Sequence, residues 1–140
     1  MDFMKRYDRI TRKVFVDVEG REYALLFTLQ GLTQLEAVSG QPIMAMTGNG
    51  NVPSLTLLVE AFKIGLMGVK NNQLQEAKCP AIAEQYLQIY GFEGMVNLFF
   101  ALLATSGLLG PKRSNDILTK LGVSPLDKVD DVKNEEQAKQ

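Results

Sequence analysis

The residues able to do covalent or acid–base chemistry are few and poorly placed for it. The chain has 140 residues with one cysteine, Cys79, and no histidine. A thiol becomes a nucleophile when a neighbouring base or cation holds it as thiolate, and zinc and copper sites are usually built from Cys and His together. A helix start tends to lower a thiol pKa, but with no second Cys and no His, Cys79 reads as passive. The carboxylate pairs Asp130-Asp131 and Glu135-Glu136 stand among lysines in a polar C-terminal run, which reads as solvated charge rather than a catalytic dyad. The stretch "GNGNVP", residues 48–53, has the glycines of a phosphate-binding loop without its lysine or a preceding strand, and reads as a plain loop. These residues predict a protein that is not an enzyme and takes no metal or cofactor.

Non-covalent binding is the chemistry that remains. The hydrophobic share is 46% and the formal net charge is −1, so the chain is not disordered as a whole and exerts no global pull on nucleic acid or anionic lipid. The longest apolar run, "GMVNLFFALLATSGLLG" at residues 94–110, carries no charge. From Met95 to Leu109 it would make a helix of roughly 22 Å, against about 30 Å of bilayer hydrocarbon. Asn97, Thr105, Ser106 and Gly107 interrupt it, and Pro111-Lys112-Arg113 follows where an aromatic belt would be needed. It predicts a buried helix, not a membrane span. "MDFMKRYDRITR" at the start lacks the apolar core of a signal peptide, so the expected compartment is the cytosol.

The elements that must present a binding surface follow from periodicity. In "KVFVDVEGREYALLFT", residues 13–28, Val14, Val16 and Val18 share one face, Glu19-Gly20 supplies a turn, and Tyr23, Leu25 and Phe27 resume the alternation. A β-hairpin is predicted, and it must lay its apolar face on helices. Thr28 is placed as N-cap of a helix over about 29–39 with Leu29, Leu32 and Leu35 on one side, stopped by Gly40 and Pro42. Residues 43–53 read as the longest loop, with Met44 and Met46 exposed. Ser54 caps a second helix, about 54–69, with Leu55, Leu58, Val59, Phe62, Leu66 and Val69 in one stripe. Its other side is apolar too, at Leu57, Ala61 and Ile64, which predicts burial on more than one side.

Pro80 opens a helix over about 80–90, ended by Gly91, and a further helix runs over about 92–108. On the latter, Glu93, Asn97, Ala101 and Ala104 form a narrow stripe of small or polar residues, read as a solvent edge or a seam for another helix. A short helix is expected at about 115–121. The predicted organisation is a basic N-terminal arm at 1–12, one globular domain at 13–123 and a polar mobile tail at 124–140. The predicted class is α+β, mostly α, with an N-terminal β-hairpin packed on a bundle of about four helices.

This order of elements, with "GREYALLFTLQGLTQLEAVSG", "AFKIGLM" and "AIAEQYLQIYGFEGMVNLFFALLATSG", resembles the tail-assembly chaperones of long-tailed bacteriophages and gene transfer agents. The resemblance covers roughly residues 16–110 and rests on pattern: a strand pair with a glycine turn, a Phe-Thr entry into a helix carrying Leu-Glu, a second helix, and a long apolar helix after Tyr-Gly. It implies a non-catalytic holdase in the cytoplasm of the bacterial host that keeps the tape-measure protein soluble during tail assembly. It further implies tail-tube subunits as partners of a longer, frameshifted form. A homo-oligomer is compatible with the same surfaces.

A holdase must offer apolar, adaptable side chains to an amphipathic helix. Leu57, Phe62, Ile64, Met67, Phe99, Phe100 and Leu103 are the candidate partner-binding residues, and the same types fit an ordinary core. Two other classes compete: a structural tail or neck subunit, and a small DNA-binding regulator suggested by "MKRYDRITRK" and "PKRSNDILTKLGVSP". The second is disfavoured because its short helix offers little beyond Lys120 for reading base edges.

Overall fold

The structure is a computed structural model and describes residues 2–46, 52–70 and 74–123. It is α+β and mostly α: an N-terminal three-stranded antiparallel sheet lies against a set of helices. The strands are β1 (Arg6–Tyr7), β2 (Val14–Val18) and β3 (Arg21–Leu25), in that spatial order. The helices are α1 (Leu29–Ser39), α2 (Ile43–Met46), α3 (Leu55–Met67), α4 (Cys79–Thr105) and α5 (Pro111–Lys120).

The hairpin forms where alternation requires it. Val14 faces Leu25, Val16 faces Tyr23, and Val18 faces Arg21. Val14, Val16, Val18, Tyr23 and Leu25 are buried while Asp17 and Glu22 look outward. Glu19 and Gly20 both take positive φ, 51° and 81°, as a tight right-twisted hairpin turn demands. The basic arm is not loose: Arg6 and Tyr7 pair with Phe15 and Val14, and the Lys5 amide donates to the Phe15 carbonyl at 2.7 Å. Its charges suit the outer face of the sheet, where Lys5 pairs with Glu22 at 3.1 Å and Arg6 lies 3.9 Å above the Phe15 ring.

The helix ends follow their caps. Thr28 Oγ1 accepts from the Gly31 amide at 2.9 Å, and Ser54 Oγ from the Leu57 amide at 3.2 Å. Gly40 closes α1 in the left-handed conformation, its amide donating to Glu36 O. The Glu36 side chain accepts from the Ile43 amide at 2.8 Å and so starts α2. This single turn stands at the head of the expected loop and buries Met46, leaving Met44 exposed. Residues 47–51, 71–73 and the tail 124–140 lie outside the described residues.

Helix α4 is broken at Gly91, where the sequence predicts the end of one helix and the start of the next. Residues 79–90 and 92–105 form two arms, because Gly91 sits at φ 79° and ψ 176° and breaks the helical path. Residues 76–105 are apolar enough to pass a membrane-span criterion by length and composition. The arms, however, are only about 18 and 21 Å long at 1.5 Å per residue. Neither matches about 30 Å of hydrocarbon. Tyrosines brace the elbow: Tyr86 donates its hydroxyl proton to the Phe3 carbonyl, Tyr90 donates to Asp17 O at 2.6 Å, and their rings lie 4.4 Å apart.

The core lies where α3 meets β3 on one side and α4 on the other. Phe62, Tyr86, Met95, Phe99, Leu102 and Leu103 fill it. Two stripes are less regular than the wheel suggests. Leu29 is 67% exposed although Leu32 and Leu35 are buried, and Leu55 is 50% exposed at the first residue of α3. First-turn residues have no preceding helical turn to pack behind, which leaves them at the margin. On the small stripe of α4, Glu93 is exposed and Asn97 half-buried, whereas Ala101 and Ala104 are fully buried, so its C-terminal half is a seam within the chain itself.

Candidate partner-binding groove

Helices α1 and α3 pack together, with Gly31 close to Ile64, and three hollows lie between them. The first, about 190 Å³, lies at the start of α1 and the end of α3, between Gly31, Gln34, Ile64 and Met67. The second, about 360 Å³, shares Gln34, Ile64 and Met67 with it and adds Ala37, Val38 and a charged wall. The third, about 440 Å³, continues from Val38 to Met46, Pro53 and Leu57. Gln34, Ile64 and Met67 join the first two hollows and Val38 alone joins the second to the third, and the line of the three is the groove. From Leu57 to Gly68 it runs roughly 16 Å along α3, three turns of a docked helix.

Its surface is mainly apolar in the second hollow. Val38 is 54% exposed and Met67 43%, with Ala37 open between them and Ile64 as the buried floor. Aliphatic and Met side chains facing water in a concavity leave area unburied by the chain's own fold. Among the described lining residues the charged groups are on one wall: Lys63 Nζ lies 3.0 Å from Glu60 Oε1 and 3.3 Å from Glu76 Oε2. The hydrogen bond to Glu60 holds the Lys63 ammonium above its ordinary pKa, with burial opposing.

Of the seven candidate residues, the structure brings three to this groove and takes four elsewhere. Leu57 and Ile64 line it from below with little exposure, and Met67 reaches its surface. Phe62, Phe99 and Leu103 are core: Phe62 packs on the Tyr86 ring at 5.3 Å and Phe99 meets Phe27 edge-on at 6.2 Å. Phe100 is half-buried beside Phe99, its ring 5.5 Å away. Phe62, Phe99 and Leu103 cannot meet a partner without opening the core. Val38, Ala37 and Gln34 are the groove residues sequence reasoning missed. The signal was present, since Ala37 and Val38 are apolar positions of α1 lying off its Leu32–Leu35 stripe.

The other chemistry-bearing residues sit apart from the groove or lack partners for catalysis. Cys79 is fully buried, and burial followed by the Glu76 charge pushes its thiol pKa up, against the lowering that a helix start alone suggests. Among the described residues no three His, Cys, Asp or Glu side chains converge. A fourth hollow of about 630 Å³ flanks α5, with Lys112, Arg113 and Lys120 around Asp116 and with Met44 and Ile117 as apolar wall. Its basic residues are spread along ten residues of helix with a carboxylate among them, a weak pattern for base-edge or phosphate reading. Comparison with family models, curated proteins and solved structures found no match.

Proposed function

We propose that this chain is a non-catalytic holdase of the phage tail-assembly chaperone kind, which takes an amphipathic helical segment of the tape-measure protein into the α1–α3 groove. The observation that carries the reading is the groove itself: three turns long, apolar at Ala37, Val38, Ile64 and Met67, and open to water. Helix-in-groove recognition uses such a surface, read by apolar residues three and four apart on the incoming helix. Met67 adds a side chain that repacks around varied sequences, which suits a protein that must hold many segments of one long partner. The reading places the protein in the cytoplasm of the bacterial host, and tail-tube subunits would join through a longer, frameshifted form of the chain.

Co-expression with a long, helical tape-measure protein of the same assembly tests this. The holdase raises that protein's soluble yield and co-purifies with it, and Ala37→Trp, which fills the groove from an exposed position, abolishes both. An absence of rescue and of co-purification overturns the reading. Presence of the chain in purified virions would instead assign it to the particle as a structural subunit.

A further inference from the structure

We propose that the groove selects helices by charge, taking an amphipathic helix with lysine or arginine along one flank and a neutral opposite flank. The inference rests on the holdase reading and adds to it the chemistry and orientation of the partner. Among the described residues lining the three hollows, the charged ones are Glu60, Lys63 and Glu76, all on the α3 side. The α1 wall is neutral: Gln34, Ala37, Val38 and Ser39. Two carboxylates share one ammonium, so this wall keeps one negative charge when its internal pairs are made.

The Glu76 side chain is 67% exposed, against 25% for Glu60, so Glu76 is the group open to a new cation. Its bond to Lys63, at 3.3 Å, is also the longer of the two. A partner cation set beside the Ile64–Met67 floor meets Glu76 without displacing Lys63 from Glu60. Because the charge lies on one wall only, an amphipathic helix with a single basic flank fits in one rotational setting, and its direction along the groove follows. Charges at an exposed rim contribute more to selection and encounter rate than to affinity. The apolar floor therefore supplies the hold and the wall supplies the choice.

Fluorescence anisotropy with the full chain tests this, using three labelled peptides of about 20 residues with the same apolar face and a basic, neutral or acidic flank. The basic-flank peptide binds about tenfold more tightly than the acidic one at low salt, and the difference shrinks at 1 M salt, where the screening length is about 3 Å. The double variant Glu60→Lys/Glu76→Lys inverts the order, and Ala37→Trp weakens all three peptides. Equal binding of all three, still lost in Ala37→Trp, overturns the charge selection and leaves the holdase reading standing. No binding of any peptide overturns both. A dimer of the free chain that Ala37→Trp dissociates would assign the groove to a second copy and overturn the proposal.

Discussion

Arg12 Nη1 donates to the carbonyl oxygen of Ser106 at 2.7 Å, joining the loop after β1 to the end of α4 across 94 positions of chain. The carbonyl is one of those a helix leaves unpaired at its C-terminus, and a guanidinium there also meets the negative end of the helix dipole. Arg12 itself has φ 65°, and its guanidinium occupies the space where a side chain at Gly107 would begin. Arg12→Ala is expected to cost about 1–2 kcal/mol, the range of a partly exposed charged hydrogen bond. Gly107→Ala is expected to cost more, because it displaces the guanidinium and forces Ala to φ 78°. Urea midpoints of the two variants check the order.

Gly91→Ala isolates the backbone requirement of the α4 elbow. Nothing lies within 4 Å of an added Cβ there, so the whole loss comes from φ 79° and ψ 176°, a region in which only glycine is at ease. A loss of about 2–3 kcal/mol is expected. Gly40→Ala, equally uncrowded but at φ 70° and ψ 17°, is expected to lose about 1 kcal/mol. Equal losses would mean that the elbow relaxes into continuous helix.

Tyr86 makes stability sensitive to alkaline pH. Burial raises its phenol pKa far above the ordinary value of about 10, with the Tyr90 charge adding to it. The unfolded chain therefore gives up this proton first, and stability that is fully present below pH of about 10 is lost as pH rises beyond it. The slope from this one group approaches about 1.4 kcal/mol per pH unit. Tyr86→Phe removes the hydroxyl bonds to Phe3 O and Gly94 O, costs about 1–2 kcal/mol at pH 7, and makes the decline above pH 10 shallower. Thermal midpoints from pH 7 to 11.5 for both proteins measure it.

Ser114 Oγ is fully buried and has no hydrogen-bond partner among the described residues. Ser114→Ala is expected to stabilise the protein by about 1 kcal/mol, since it removes an unpaired hydroxyl from the interior and places a better helix former in α5. Ser39→Ala is the contrasting variant: its hydroxyl accepts from the Gln41 amide at 3.1 Å, and its loss is expected to destabilise. A fall in thermal midpoint for Ser114→Ala would contradict this account.

Much of the fold was legible because local rules decide it. The hairpin register follows from Val14, Val16 and Val18 alternating up to Glu19-Gly20, and the ends of α1 and the start of α3 follow from Thr28, Gly40 and Ser54. The third strand was not legible, because a two-residue pairing at Arg6–Tyr7 has no period of its own and depends on Phe15 being there to receive it. The groove was half legible. An apolar arc wider than one stripe on α3 announced Leu57 and Ile64, and Met67 was a candidate by its side-chain type, but which of the apolar residues reaches water depends on the distance between helices. Phe62 and Phe99 differ from Met67 only in that partners cover them.

The ties that lock the N-terminus have a consequence for the order of events during synthesis. Phe3 is held by Tyr86, Asp17 by Tyr90 and Arg12 by Ser106, at separations of 83, 73 and 94 positions. At about 5–20 residues per second, a ribosome needs roughly 4–20 s after making the sheet residues to deliver those partners. The sheet is thus made well before the residues that fasten it. Until α4 has emerged, Val14, Val16 and Val18 have no complete cover, so slow translation between Val18 and Ser106 would lengthen their exposure and fast translation would shorten it.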